Sequence, residues 1–318
     1  MKKIIAFFFV AMTVLFVRAQ DVADPHIIRI TGTRFTYLLV QTWIDEYAKI
    51  NPAAKIELAG KIGADSADIL IASHILRPGD VKDWQTSVAV CHYILLPVVN
   101  SGRPDLKELQ QKGITGQALK KVFFEDKEYN GVAQTGNAWM VYKREKPSCS
   151  SIAFANHFGN QQKDIVGVPV PGDDRDLLAV VKKDKRAVTY NSPGIIYNLK
   201  SRRVVDSIAV IPIDLNENGV IDEKEKIYDT LDEIIRYTEN SGDPAIPVDA
   251  VNLLFRKNNP DKAVIAFLQW VLGDGQRYSH EYGFLNLDSN TLKSEKNSLV
   301  AITGLSSCAP TSHILINK

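Results

Sequence analysis

Between Ile27 and Leu287 the chain alternates between short apolar runs and segments whose apolar positions recur every three or four residues. Ile27-Ile28-Arg29-Ile30 reads as a short strand and Thr31 to Thr36 as a turn. Val40, Trp43, Ile44 and Tyr47 then fall at i, i+3, i+4 and i+7, one face of a helix that Asn51-Pro52 stops. Lys55-Ile56-Glu57-Leu58 alternates like a strand, whereas Asp68-Ile69-Leu70-Ile71-Ala72 is a continuous apolar run of the kind covered on both faces. Strands alternating with helices predict an α/β domain with a largely parallel sheet.

A longer strand is predicted from Ser87 to Val99, and the breaker cluster Asn100-Ser101-Gly102-Arg103-Pro104 marks a first crossing between domains. The same rhythm then returns. Asn137 to Tyr142 reads as a strand, a helix follows Ser151, and Gly167 to Val170 reads as another strand. A helix from Arg175 to Lys182 and a strand from Ala187 to Tyr190 complete this stretch. Ala263, Phe267, Trp270 and Val271 form a further helical face that Gly273-Asp274-Gly275 breaks. No internal sequence repeat or low-complexity tract occurs.

The first 19 residues have a different character. Lys2 and Lys3 precede an apolar run from Ile4 to Val17, and Val-Arg-Ala ends the segment at Ala19, the pattern of a cleaved export signal. The run is shorter than the roughly 20 apolar residues of a membrane helix. The expectation is therefore a periplasmic protein whose mature chain starts near Gln20. Cleavage removes three of the 38 basic residues and none of the 37 acidic ones, leaving a nearly neutral chain with no charge excess that would suggest nucleic acid. A chain of this length exceeds the usual single core, so two domains are expected. Cys91, Cys149 and Cys308 allow at most one disulfide, and spacing does not choose it.

Two segments carry candidate chemistry. Arg144-Glu145-Lys146-Pro147-Ser148-Cys149-Ser150-Ser151 is a cationic, hydroxyl-rich turn that opens into the apolar segment Ile152 to Phe158. The first amides of a helix lack intrahelical acceptors and sit at the positive end of the macrodipole, so an Arg fork and Ser hydroxyls beside them suit an oxyanion. An ordinary Ser N-cap uses the same residues.

The second segment is Asp214-Leu215-Asn216-Glu217-Asn218-Gly219-Val220-Ile221-Asp222-Glu223-Lys224-Glu225, which satisfies D-x-[DN]-x-[DN]-G-x5-E at every position. Side-chain oxygens of Asp214, Asn216, Asn218, Asp222 and a bidentate Glu225, with the Val220 carbonyl, can surround a structural Ca²⁺ while Gly219 permits the bend. The plain alternative is an acidic turn. An apolar strand, Ser207 to Ile213, precedes this loop, so it is read as a lone loop that stiffens a connection.

From Ile27 to Leu287 the chain resembles the periplasmic phosphate-binding proteins of ABC importers, especially a Bacteroidetes-like branch that carries a calcium loop. Ile30-Thr31-Gly32 through Thr36-Tyr37 is similar to the first phosphate loop of that family, with Thr36 and Tyr37 at its Thr and Phe positions. Arg144 to Ser150 resembles its R-x-x-x-S-G-T loop, with Arg144, Ser148 and Ser150 matching and Cys149 in place of Gly. The apolar helix Ala263 to Val271, then Gly275-Gln276 and Tyr282-Gly283-Phe284, is similar to its C-terminal region. His74 stands where the family has a carboxylate that accepts a phosphate proton, and the second Gly/Ser-rich turn shrinks to residues 60–65.

The resemblance implies a two-domain α/β periplasmic binding protein of type II-like architecture, each domain a mostly parallel sheet flanked by helices and hinged by crossing strands. Residues 20–95 and 250–318 would form one domain and 96–249 the other. A monomer would hold a small inorganic anion, best phosphate, between Thr36, Tyr37, Ser73 and His74 on one wall and Arg144, Ser148, Cys149 and Ser150 on the other. It would deliver the anion to an ABC transporter permease in the inner membrane. The rival expectation is a calcium-stabilised periplasmic protein with a lost or changed ligand, possibly catalytic. Against catalysis, the chain has no G-x-S-x-G, H-E-x-x-H, Walker loop or C-x-x-C, and the sequence offers no identifiable base for Cys149.

Overall fold

The computed structural model describes residues 26–60, 62–125, 139–258 and 260–303. The expected export segment, the start of the strand expected from Asn137 and Cys308 lie outside these residues. In chain order the first strands are β1 (Ile27–Gly32), β2 (Lys55–Leu58), β3 (Ile69–Ala72), β4 (Gln85–Ile94) and β5 (Leu96–Asn100). They are followed by β6 (Met140–Arg144), β7 (Val168–Val170), β8 (Ala187–Asn191), β9 (Ile208–Val210) and β10 (Val248–Arg256). The helices are α1 (Tyr37–Ile50), α2 (Leu106–Lys112), α3 (Gly116–Lys120), α4 (Cys149–His157) and α5 (Asp174–Val181). Beyond these come α6 (Pro193–Ile196), α7 (Leu231–Ser241), α8 (Lys262–Val271) and α9 (Ser289–Thr303).

Two five-stranded sheets result, ordered β2-β1-β3-β10-β4 and β7-β6-β8-β5-β9. In the first, β1 runs parallel to β2 and β3, while β10 is antiparallel to both β3 and β4. In the second, β6 runs parallel to β7 and β8, while β5 is antiparallel to β8 and β9. Both sheets are thus mixed but mostly parallel, as expected: four strands of each run in one direction and a single strand, β10 or β5, runs against them. The two share one plan, a three-stranded parallel unit extended by an antiparallel pair, although the sequence shows no repeat. Each central parallel strand, β1 or β6, leads into a helix, α1 or α4, and this correspondence sets two helix starts at equivalent places.

The strand expected from Ser87 to Val99 is two strands in two sheets. The break falls at Leu95, whose N–H donates to Pro247 O at 2.9 Å, so the chain changes sheets before the Asn100–Pro104 cluster and not at it. Burial explains why periodicity misses this. Tyr93, Ile94, Leu95, Leu96, Val98 and Val99 are all at most 2 % exposed, so the apolar run continues unbroken through the crossing.

The α1 face read from the sequence packs as expected. Leu39, Val40, Trp43, Ile44 and Tyr47 are buried, Trp43 Nε1 donates to Gly275 O at 2.8 Å, and Tyr47 meets Phe267 of α8 edge-to-face at 5.4 Å. Such apolar burial is the main stabilising term, about 25 cal/mol per Å² removed from water. In the second lobe Phe154 of α4 stacks on Tyr190 of β8 at 4.0 Å, and the Tyr190 hydroxyl donates to Ser151 Oγ at 2.8 Å. That pair fixes the start of α4 against the sheet. Among the described residues no helix is long and apolar enough to cross a membrane.

Candidate functional site

Three strand-to-helix turns meet between the sheets. They follow β1, β6 and β7, and they surround a cavity of about 400 Å³ lined by Gly32 and Thr33 from the first lobe and Arg144, Ser148, Cys149 and Asp174 from the second. Gly32 is needed where it stands. Its φ is +133°, and a Cβ there would lie 2.2 Å from the Ile71 carbonyl oxygen, so only glycine lets β1 end this close to β3.

Ser148 caps α4 from an extended backbone, and its Oγ accepts from Ser151 N at 3.2 Å. The amides of Cys149 and Ser150 precede the first intrahelical bond, Ile152 N to Ser148 O, and stand at the positive end of the helix. Arg144 ends β6 beside them. Its side chain is only 10 % exposed, Nε lies 3.7 Å from Asp174 Oδ1, and neither Nε nor Nη1 has a hydrogen-bond partner. Buried guanidinium donors are rarely left unpaired, because the group loses its hydration without replacement.

Asp174, at the start of α5, accepts from Ser150 Oγ at 3.0 Å. Burial pushes its carboxyl above the usual range, against the opposing pull of Arg144 and Ser150. The cavity therefore presents orphaned donors and one acceptor with a raised proton affinity.

The residues expected at this site divide into two groups. Arg144, Ser148, Cys149 and Ser150 line the cavity together. Thr36 and Tyr37 do not line it. Thr36 is 1 % exposed and its Oγ1 donates to Thr33 O at 2.7 Å, while the Tyr37 hydroxyl accepts from Gly32 N at 3.3 Å. The 3-10 turn Arg34–Thr36 carries the chain round before α1 begins, so Thr33 and Phe35 face the cavity in their place. Ser73 is fully buried, its carbonyl accepts from Tyr93 Oη at 2.6 Å, and its Oγ has no partner.

His74 lies in an adjoining hollow with Arg77 and Asp80. Its Nδ1 is 3.3 Å from Cys149 Sγ and its Nε2 is 3.4 Å from Asp80 Oδ2. Cys149 therefore has a base, which corrects the reading that none is available. Thr33 Oγ1 donates to the same sulfur at 3.1 Å. Burial opposes charge on Cys149, yet His74, Thr33 and the Ser73 backbone together hold its thiol below the ordinary range. Reciprocally, the bond to Cys149 raises His74, against desolvation and with help from Asp80. Cys91 is a fully buried free thiol.

Sequence reasoning missed Thr33, Asp80 and Asp174. For Asp174 a signal exists: Gly172-Asp173-Asp174-Arg175 is also a turn entering a helix, and Asp173 caps α5 with Asp176 in a capping box. His74 and Asp80 approach Cys149 only through the fold.

The 214–225 loop is folded tightly around its own carboxylates. Asp214 accepts from Asn218 N and Gly219 N, and Glu225 accepts from Leu215 N, Asn216 N and Asp222 N. Asp222 accepts from Asn216 Nδ2 at 3.0 Å, and the Val220 side chain faces solvent. Among the described residues no three His, Cys, Asp or Glu side chains converge as a metal cluster, so the expected ring of ligands is only partly drawn together. Asp214 and Glu225 are nonetheless 2 % and 3 % exposed and have no Lys or Arg partner in the ion pairs of the described residues. Buried carboxylates of this kind fit a cation.

No family model and no curated protein matches the sequence. Solved structures do match the fold. A structure from Clostridium perfringens, described as a phosphate ABC transporter substrate-binding protein with bound phosphate, is 15 % identical with a TM-score of 0.60. The match covers 83 % of this chain and 100 % of that one. An ABC-type phosphate transport receptor from Vibrio cholerae is 18 % identical with a TM-score of 0.55, covering 82 % of this chain and 100 % of the receptor. The fold, two mixed α/β sheets flanked by helices, is thus shared with these two solved structures.

Proposed function

We propose that this chain is an exported solute-binding protein that captures a small oxyanion, best phosphate, between its two sheets for uptake through an ABC-type permease. The observation that carries the reading is Arg144, whose buried Nε and Nη1 lack partners beside the first amides of α4. A fixed guanidinium fork and helix amides supply charge and directed donors to an anion. Asp174 adds discrimination. A proton-bearing oxyanion can donate to its carboxylate, whereas sulfate brings only lone pairs to face it. The fold shared with phosphate-binding proteins from Clostridium perfringens and Vibrio cholerae supports the same ligand class. Ser148 and Ser150 offer hydroxyls from the second lobe and Thr33 from the first, so closure of the lobes would bury the ion.

The 214–225 loop is proposed to hold a structural Ca²⁺ through Asp214, Asn216, Asn218, the Val220 carbonyl, Asp222 and Glu225. Asp214 and Glu225, buried and without a Lys or Arg partner in the ion pairs of the described residues, support this.

Calorimetry of the mature protein against phosphate, sulfate and molybdate tests the main reading. Saturable heat with phosphate, lost in Arg144→Ala, is expected. Absence of heat with all three anions overturns it.

A further inference from the structure

We propose that Cys149 is a redox-active nucleophile whose thiolate, paired with His74 and supported by Asp80, is oxidised by small hydroperoxides entering the cleft to a sulfenic acid that occupies the anion cradle. Only the last clause, occupancy of the cradle, rests on the oxyanion reading above.

The geometry is a relay drawn from both lobes. Cys149 is the first residue of α4, where the helix end favours negative charge on its sulfur. His74 Nδ1 stands 3.3 Å away and Nε2 faces Asp80 at 3.4 Å, so a protonated imidazole has an anion on each side. Asp80 is itself held by Arg77 N at 2.7 Å. The backbone that carries His74 is pinned by β4 and β10. Tyr93 Oη donates to Ser73 O, and Asn252 Nδ2 donates to His74 O at 3.0 Å. The other ionisable groups acting on the pair are Asp249 of β10, which feels His74, and Tyr93, which feels Cys149 and remains neutral because burial raises it strongly. On the cavity side stand Arg144 and Asp174.

The second observation is independent of the sulfur. Arg144, nine-tenths buried, lines the same cavity with two unpartnered donors. These donors, the Thr33 hydroxyl and the α4 amides can bind a peroxide oxygen and then stabilise an oxidised sulfur bearing oxygen.

In the reaction, Cys149 Sγ attacks the hydrogen-bearing oxygen of a peroxide H–O–O–R. The sulfur–oxygen bond forms as the oxygen–oxygen bond breaks, and the leaving oxide takes the proton of the His74 imidazolium. Thiolate, imidazolium and peroxide thus give sulfenic acid, neutral imidazole and water or an alcohol. Sulfur loses two electrons and the peroxide gains them. Among the described residues the other cysteine, Cys91, is fully buried in the first sheet and closed off as a resolving thiol, and an external thiol can reduce the sulfenic acid.

The test uses the full mature chain, with each cysteine followed separately by peptide mass spectrometry. Iodoacetamide labelling of Cys149 from pH 5 to 9 should titrate below the free-thiol value of about 8.5. At pH 6.5 it should run about tenfold faster than in His74→Gln, with Asp80→Asn between the two. Thermal melts establish that these variants fold, and Thr33→Val provides a second lesion on the opposite side of the sulfur. Hydrogen peroxide followed by dimedone should tag Cys149 in the wild type and far less in His74→Gln. Ordinary titration of Cys149, unchanged labelling in His74→Gln, or no dimedone adduct overturns the proposal. Phosphate heat should vanish after peroxide and return after dithiothreitol. Unaltered phosphate heat in the oxidised protein removes the occupancy clause alone. Failure of the reduced protein to bind phosphate sinks the oxyanion reading while the thiol results stand.

Discussion

Ser150 Oγ donates to Asp174 Oδ1 at 3.0 Å, tying the first turn of α4 to the first turn of α5. Two helix starts would otherwise approach with like partial charges, and a carboxylate placed between them relieves that. The same carboxylate stands 3.7 Å from Arg144 Nε without closing a hydrogen bond to it. Asp174 therefore holds the frame of the cavity together while the guanidinium donors remain available.

Arg144→Ala should weaken phosphate binding by about 2–5 kcal/mol, the usual effect of removing one partner of a buried charged pair. Arg144→Lys should restore only part of the loss, because an ammonium cannot present a planar fork. Isothermal titration of the three proteins gives the comparison, and equal affinities would remove Arg144 from the site.

Asp174→Asn should reduce the preference for phosphate over sulfate. Burial raises the Asp174 carboxyl, so it keeps its proton to a higher pH than a free aspartate. Ionised, it presents only acceptors to a ligand; protonated, it can also donate, and so can serve the lone pairs of sulfate. Selectivity in the wild type should therefore grow as pH rises through that pKa and fade as pH falls. In Asp174→Asn the same profile should show only the ionisation of phosphate itself, and coincident profiles would show that Asp174 plays no part in recognition.

Calcium at about 100 times its Kd should stabilise the fold by about 2.7 kcal/mol if it binds the native state alone. Differential scanning calorimetry with and without chelator should show this as a higher Tm in calcium. Glu225→Gln should lose most of the gain, since an amide is a poorer ligand than a bidentate carboxylate. A Tm that does not respond to chelator would make residues 214–225 an acidic turn held by its own amides.

Gly32→Ala should lower stability by about 1–3 kcal/mol, the scale for a residue forced into a disfavoured backbone region. The clash with Ile71 O adds to this, because β1 must draw away from β3. Urea unfolding reports the stability. Phosphate affinity measured alongside should fall as well, because Gly32 and Thr33 form one wall of the cavity.

Much of this structure is legible in residue patterns wherever a single helix or strand meets a single environment. The α1 face and the apolar run at β3 are of that kind, whereas α4 starts at Cys149, ahead of the Ser151 read from the sequence, because Ser148 takes the cap. The sheet change at Leu95 is silent because both of its flanks are buried and hydropathy does not distinguish one apolar sheet from another. Thr36 and Tyr37 lie off the cavity lining, where the 3-10 turn before α1 places Thr33 and Phe35, and the sequence does not show that turn. His74 and Cys149 are 75 positions apart, and no spacing rule brings them together. Their meeting depends on two lobes folding and facing each other.

Strand β10 lies between β3 and β4, and Asn252 reaches His74 across 178 positions of chain. During synthesis the first lobe must wait for its own middle. β1, β2 and β3 can pair as they emerge, but β3 and β4 keep open edges until residues 248–256 arrive. The second sheet is drawn from one continuous stretch, β5 to β9, and can close earlier. The lobe that starts first thus finishes last. Its exposed strand edges make the interval before β10 docks the time when the nascent chain is most open to wrong pairing, with itself or with a neighbour.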